Sequence, residues 1–411
     1  MAGAPEGAGR RGELDALRIL VVAGLVLFHS SLVFDAENDF YVKNAETTTV
    51  TGITAGFGVV WAMPLLFLVG GLGAWYSLRR RGTAGFVRER LLRLGVPLVF
   101  ATCVLCPLPQ WLRERSHHSS YDVSYWHFLP RFFDVHWAWG DFPFVLDGPY
   151  FETGHLWFVV VLLELCLLLA LLARWLPDGH TLRRVPRAAM ALPMLPLAAV
   201  CALLGLDTAY GGWDRSAYAL FFAAGYVLAG SPALRAAMRR DRWPALVLGL
   251  CMFGASAPGF SLAHDPLTSM EGVAVVARAL FGATGWCALV ALLGFLDRPR
   301  RAGAVDGGTA REDVGPHGSP REEHPWRRRF TAYTGPAVLP MYVLHQPIVV
   351  AVAYGVVGWS APIPVKYAVI VVCSLAGTWA AYDVLVRRTR ITRFLFGMRR
   401  VPRDAGAAPA Q

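Results

Sequence analysis

Ten apolar stretches recur along the chain, most of them close to the roughly 20 residues that a helix needs to cross about 30 Å of hydrocarbon. They fall near 14–34, 56–78, 95–112, 154–175, 188–206, 215–232, 243–260, 274–296, 333–357 and 363–386. Pro97, Pro107, Pro109, Pro244 and Pro258 crowd the ends of the third and seventh stretches. The pattern predicts an all-α polytopic membrane helical bundle of about ten transmembrane helices. The membrane domain would run from 14 to 386, between a short tail at 1–13 and a basic tail at 387–411. The first stretch is longer than a signal-peptide core and is followed by no clear small-residue cleavage site, so it is expected to be retained.

Composition supports this pattern. The chain of 411 residues is 55% hydrophobic and only 17% charged, with a mean hydropathy of +0.42, whereas soluble domains carry about 25% charged residues. The net charge of +10 would fit a nucleic-acid binder, but its distribution follows the topology instead. With the N-terminus inside, most of the 39 Lys and Arg fall in inner segments and few in outer ones or within the stretches. Short cytoplasmic loops retain Lys and Arg, so both termini are expected to be cytoplasmic and no nucleic-acid partner is expected. The seven cysteines, at 103, 106, 166, 201, 251, 287 and 373, lie in or beside apolar stretches without disulfide or zinc spacing; they read as small core residues, and no metal is expected.

Two connections are long. The inner one, about 297–330, is rich in Gly, Pro and mixed charge and reads as a disordered linker. The outer one, about 113–153, carries many aromatics, four His and several Asp. That composition suits a small cap with stacking faces for sugars, and equally an aromatic belt at the membrane interface.

Titratable groups inside spanning helices are costly and mark sites of function. In the first helix, Asp15, Arg18 and His29 share one face: the eleven steps from Arg18 to His29, at about 100° each, leave the two about 20° apart. Arg18 would lie near the cytoplasmic interface and His29 about 16 Å deeper. Histidine exchanges protons near neutral pH, so His29 is the candidate general base or transient acyl carrier. The plainer reading makes Asp15 and Arg18 an interfacial ion pair and His29 a satisfied core residue. Arg90 and Arg93, one helical turn apart at the cytoplasmic end of the third helix, are candidates for holding an anion by charge-assisted hydrogen bonds, or are simply positive-inside residues. His155 and Trp157 open the fourth helix on the outer side, where Trp157 could anchor the interface. His345 lies mid-helix two residues before Pro347, where a kink could open a cavity. Glu164 lies about 180° around the fourth helix from His155, so the two are not expected to work together, and Arg278 and Asp383 are further intramembrane charges to which the sequence assigns no partner.

The run LDALRIL…FHS resembles the first-helix signature of the membrane-bound acyltransferase 3 family, in which an Arg and a His are separated by ten residues. MPLLFLVGG at 63–71, RERLLRLGVP at 88–97, HLWFV at 155–159 and YVLHQPI at 342–348 resemble later family segments, in order, so the resemblance covers about 14–386. It implies transfer of an acyl group, usually from a cytoplasmic acyl-CoA, to a hydroxyl on a sugar, glycan or lipid-linked acceptor. That places Arg18, Asp15 and His29 at the chemistry, Arg18, Arg90 and Arg93 at the donor, and His155, Trp157 and His345 at the acceptor, in a bacterial plasma or inner membrane. Gly70 and Gly71 stand where many relatives have Ser-Gly, and no appended extracytoplasmic domain is expected. The His-Gln-Pro-Ile run looks somewhat like the branch that succinylates periplasmic glucans, while other stand-alone relatives modify macrolides and polysaccharides. Outside the resemblance, a proton-coupled transporter or exporter and a membrane scaffold remain the competing classes.

Overall fold

The computed structural model of the chain describes residues 8–118, 120–175, 185–297 and 333–398. Each of the ten apolar stretches falls on helix. Among the described residues, seven helical runs are long and apolar enough to cross a membrane: Gly58–His117, Gly154–Trp175, Arg187–Leu204, Pro232–Leu262, Gly272–Leu296, Val338–Val356 and Ile363–Val386. The first of these holds two of the stretches read from sequence, and Leu17–Leu32 is a shorter apolar helix.

The boundaries differ from the sequence reading, each for a local reason. Helix α1 (Ala8–Leu32) begins inside what reads as a tail. Helix α2 (Val50–Arg90) carries on through the basic stretch after residue 78 and is interrupted at Gly82, whose φ of 67° and ψ of 175° lie in a region glycine alone adopts freely. A π-turn over Leu91–Gly95 leads into α3 (Val96–Val104), and α4 (Pro107–His117) follows. The third apolar stretch is therefore broken near Leu105, because Pro107 has no N–H to continue the ladder and restricts the residue before it. The amides of Leu105 and Cys106 both close on the carbonyl of Ala101, at 2.8 and 3.0 Å.

The expected outer loop contains α5 (Tyr125–Phe132) and a two-residue hairpin, β1 (His136–Trp137) with β2 (Leu146–Asp147), in which His136 faces Asp147. Then come α6 (Trp157–Leu172), α7 (Arg187–Ala191), α8 (Met194–Leu204) and α9 (Arg215–Gly230). A single residue, Ser231, separates α9 from α10 (Pro232–Leu262), so the expected basic inner loop at 233–242 is helical. Ser231 caps it by accepting from the Leu234 amide at 3.3 Å, and Pro232 occupies its first turn, where a missing N–H costs nothing. Helices α11 (Gly272–Leu296), α12 (Val338–Val356), α13 (Ile363–Ala381) and α14 (Arg390–Leu395) complete the described chain. The linker read at about 297–330 lies outside the described residues except for Asp297.

Contacts divide the chain into two units. The first combines Met1–Arg18, Val59–Arg79 and Leu176–Gly335. Its helices approach at small residues: a Cβ on Gly71 would overlap the carbonyl oxygen of Phe222, and one on Gly225 the carbonyl of Leu68. That reciprocal contact brings α2 and α9 together backbone to backbone, the packing that serves where lipid removes the hydrophobic drive between helices. In the same unit the fully buried Arg278 gives its guanidinium to the carbonyls of Cys201 (3.1 Å), Ala202 (2.9 Å) and Pro266 (3.0 Å). Two of these carbonyls belong to the last turn of α8, where helical carbonyls lack amide partners and the dipole favours a cation. Arg278 thus caps a helix.

The second unit combines Ile19–Gly58, Arg80–Trp175 and Pro336–Gln411. Its core joins Val26, Val33, Phe34, Phe40, Tyr41 and Leu112 to Val349, Val350, Ala353 and Val356 of α12 and Ile370 of α13. The three sequence-predicted histidines lie in this unit.

Candidate active site

His29 lies near the end of α1, His155 in a 3-10 turn (Gly154–Leu156) that opens α6, and His345 in the middle of α12. Their elements are far apart in sequence and converge in the fold. The ring of His345 is centred 5.1 Å from that of His29 and 5.1 Å from that of His155. His345 is fully buried, His155 is buried and His29 is half-buried. Phe40 stacks on His29 with centroids 5.9 Å apart and an interplanar angle of 22°, and Phe28 meets it edge-on. One face of the cluster is therefore apolar.

The hydrogen bonds assign the nitrogens unequal tasks. His345 Nδ1 donates to the Tyr342 carbonyl one turn earlier in α12, which fixes its proton on that side and leaves Nε2 with a lone pair when the ring is neutral. His155 Nε2 donates to the Val343 carbonyl at 3.1 Å, and its main-chain N–H donates to Gln346 Oε1 at 3.0 Å. The Tyr342 hydroxyl donates to the His155 carbonyl, and Phe158 packs edge-on against the Tyr342 ring. His155 therefore ties the start of α6 to α12. His29 Nδ1 and His345 Nε2, by contrast, are both enclosed and have no hydrogen-bond partner. Buried polar atoms are nearly always paired, and an unpaired one calls for an explanation, a catalytic role among them. Among the described residues, no three His, Cys, Asp or Glu side chains are placed to share a metal ion.

A second polar group adjoins the histidines through the chain. Tyr41, next to the Phe40 that stacks on His29, donates its hydroxyl to Glu152, three residues before His155. Arg113 pairs with Asp39 nearby, and Gln110 also hydrogen-bonds Glu152. Burial pushes the Glu152 carboxyl above the usual carboxylate range, against the opposing pull of Tyr41, Arg113 and Gln110. Neither Tyr41 nor Glu152 stands out in the sequence, since both lie in connections whose polar residues look solvated. Tyr342 and Gln346 flank His345 within one apolar helix, and the i,i+3 spacing of Tyr342 and His345 was the available signal.

Of the other sequence candidates, Trp157 is half-buried beside Phe158, and it is Phe158 that touches Tyr342. Arg18 is half-buried on α1, three turns before His29, and the Asp15 side chain lies outside the described residues. Arg90 and Arg93 are not a simple i,i+3 pair, because the π-turn from Leu91 to Gly95 intervenes and changes the angular step per residue. Arg90 lies over the Phe86 ring, 5.1 Å from its centroid, with Nε enclosed and unpartnered. Arg93 pairs with Glu89 at 3.6 Å, and Glu89 also meets Arg81 at 3.5 Å. Gly71 sits at the α2–α9 contact, where there is no room for a side chain. Asp383 pairs with Arg387 at 2.7 Å.

No curated protein and no solved structure matches the chain. A family model described as an acyltransferase domain matches residues 11–383, from the first turns of α1 through the end of α13 and just beyond. With nearly its whole length matched and three histidines gathered from α1, the start of α6 and α12, the chain belongs to the membrane-bound acyltransferase 3 family.

Proposed function

We propose that this protein moves an acyl group from a cytoplasmic acyl-CoA to a hydroxyl of a glycan, lipid-linked or small-molecule acceptor, with His29 as the general base. The observation that carries the reading is the cluster of His29, His155 and His345, in which the half-buried His29 and its neighbour His345 each hold one enclosed, unpartnered ring nitrogen. The His29 Nε2 takes the proton of the acceptor hydroxyl as its oxygen attacks the acyl carbonyl. The C–S bond then breaks, and the coenzyme A thiolate leaves and takes up the proton held by the His29 imidazolium, which returns the base to its neutral form. Both histidines that frame the reaction are held by backbone carbonyls, so they reach the productive geometry without reorganisation.

The donor arm is read at Arg18, Arg90 and Arg93, with Arg90 favoured because its Nε is enclosed beside an aromatic ring and unspent. A guanidinium so placed suits a phosphate oxygen. The acceptor arm is read at His155, Trp157 and His345. The positive-inside distribution supports both termini on the cytoplasmic side of a plasma or inner membrane.

The test is acyl-CoA consumption by purified protein given a panel of labelled acyl-CoAs, compared with His29→Ala. The reading requires acyl-CoA cleavage that the variant loses. Substrate flux across vesicles without acyl-CoA consumption would replace it with the transporter reading.

A further inference from the structure

The two unpartnered nitrogens of the cluster belong to different rings, and their arrangement defines a role for His345 that goes beyond contact with the acceptor. His345 Nδ1–H is committed to the Tyr342 carbonyl. Its Nε2 therefore carries the lone pair, and that atom is enclosed with no partner. The half-buried His29 likewise encloses its Nδ1 and leaves it unpaired. The two rings are centred 5.1 Å apart and tilted by 42°. An N–H···N bond of about 2.9 Å between two imidazoles places their centroids roughly 5 Å apart. The spacing for such a bond is already present, and a rotation of the His29 ring about its broad, terminal χ2 torsion supplies the alignment while His345 keeps its bond to the Tyr342 carbonyl.

We propose that His345 is the positioning residue for His29: its Nε2 accepts the His29 Nδ1–H, which holds the His29 lone pair on Nε2, towards the acceptor hydroxyl. The proposal rests on the acyl-transfer reading given above. The resulting chain runs from the Tyr342 carbonyl through His345 and His29 to the hydroxyl. It gives His29 a fixed tautomer and a partner for the imidazolium formed when it takes the proton. A buried carboxylate orients the base of a serine hydrolase in the same way. Here a backbone carbonyl takes the outer place and a neutral ring the middle one, which avoids burying a full charge among Phe28, Phe40 and Tyr342. His155 is excluded from this task because its Nε2 is spent on the Val343 carbonyl.

Two substitutions separate positioning from plain packing. In His345→Asn the side-chain amide takes the place of Nδ1–H and keeps the bond to the Tyr342 carbonyl, but nothing remains where Nε2 was. In His345→Gln the carbonyl oxygen reaches the Nε2 position and offers an acceptor to His29. Both are compared with wild type for acyl-CoA cleavage and thermal midpoint in detergent. The expected result is that Asn lowers kcat about 100-fold or more with KM for acyl-CoA unchanged, and that Gln recovers at least tenfold of that loss, with all three proteins equally folded. A role in packing alone predicts that Asn, which keeps the helix contact, retains kcat, and that result overturns the proposal. Should either variant fail to fold, the ionic state of His29 is read by carbon-13 and nitrogen-15 magnetic resonance of wild type. The His29 proton found on Nε2 in the neutral ring overturns the proposal, and found on Nδ1 it supports it. Acyl-CoA cleavage by wild type alone reports on the underlying reading: its presence with an active Asn variant defeats only the role of His345, and its absence defeats both.

Discussion

The rings of His29 on α1 and His345 on α12 stand with centroids 5.1 Å apart, each presenting an enclosed nitrogen without a partner. Removing the first should abolish turnover while sparing the fold, because a half-buried ring is lost from a segment whose core contacts are made by Val26 on the helix and Val33 and Phe34 just beyond it. General-base help is worth about 10² to 10⁴ in rate, and His29→Ala should lose that much acyl transfer while its thermal midpoint stays near wild type. Preserved transfer in this variant would end the proposed mechanism.

Arg90 and Arg93 should respond differently, although sequence treats them alike. Arg93 already has Glu89 as a partner, whereas Arg90 keeps an enclosed Nε unpaired. A charge-assisted hydrogen bond contributes about 1.5–3 kcal/mol, or roughly 10- to 100-fold in affinity. Arg90→Ala should raise KM for acyl-CoA by such a factor, and Arg93→Ala by clearly less. Titration of coenzyme A against each variant measures the difference, and equal effects would contradict the assignment.

Stability should fall sharply on replacing Arg278, away from the histidines. Three carbonyls depend on its guanidinium, and each left unsatisfied in the interior costs about 1–3 kcal/mol. Arg278→Met should therefore lower the thermal midpoint by several degrees. Arg278→Lys should recover only part of it, since an ammonium lacks the planar fork that reaches three acceptors.

Close helix approach gives a second stability test. Gly71→Val or Gly225→Val would drive a side chain into the carbonyl of Phe222 or Leu68. Overpacking of this kind costs about 1–3 kcal/mol, measurable as a lower thermal midpoint. Gly24, which faces open space, should accept alanine without penalty.

The pH dependence of stability should carry the signature of Glu152. Its carboxyl is held above the usual range chiefly by burial, so the folded state binds this proton more tightly than the unfolded chain does. The sign follows from linkage: the contribution is fully present below the unfolded value and is lost as pH rises through the raised one. Thermal midpoints of wild type should therefore decline over that interval, and Glu152→Gln should flatten the decline. A slope unchanged by the substitution would assign the pH dependence to other groups.

The sequence by itself determined the helical class and the places where helices run, because a bilayer demands apolar stretches of a set length with internally satisfied backbones, and that demand is written locally. It also singled out His29, His155 and His345, since a titratable side chain in an apolar helix is conspicuous wherever it occurs. Local pattern failed at the boundaries. The basic stretches just after residue 78 and at 233–242, which fall between the apolar stretches, are helical, because long Arg side chains are tolerated on a helix that emerges from an apolar environment. The break at Leu105 depends on Pro107 and the break at Gly82 on a backbone conformation, and hydrophobic periodicity registers neither.

Only the tertiary structure decided which groups meet. That His345 stands between His29 and His155, that Tyr41 reaches Glu152, and that Arg278 caps α8 are contacts between elements dozens to hundreds of positions apart. Helical spacing fixes the angle of a side chain on its own helix, but which neighbour occupies that angle is settled by packing alone. The tautomers of the histidines, and with them the division between a base and the ring that positions it, come from hydrogen bonds to the carbonyls of Tyr342 and Val343. Every residue has such a carbonyl, and only the fold selects which of them a ring can reach.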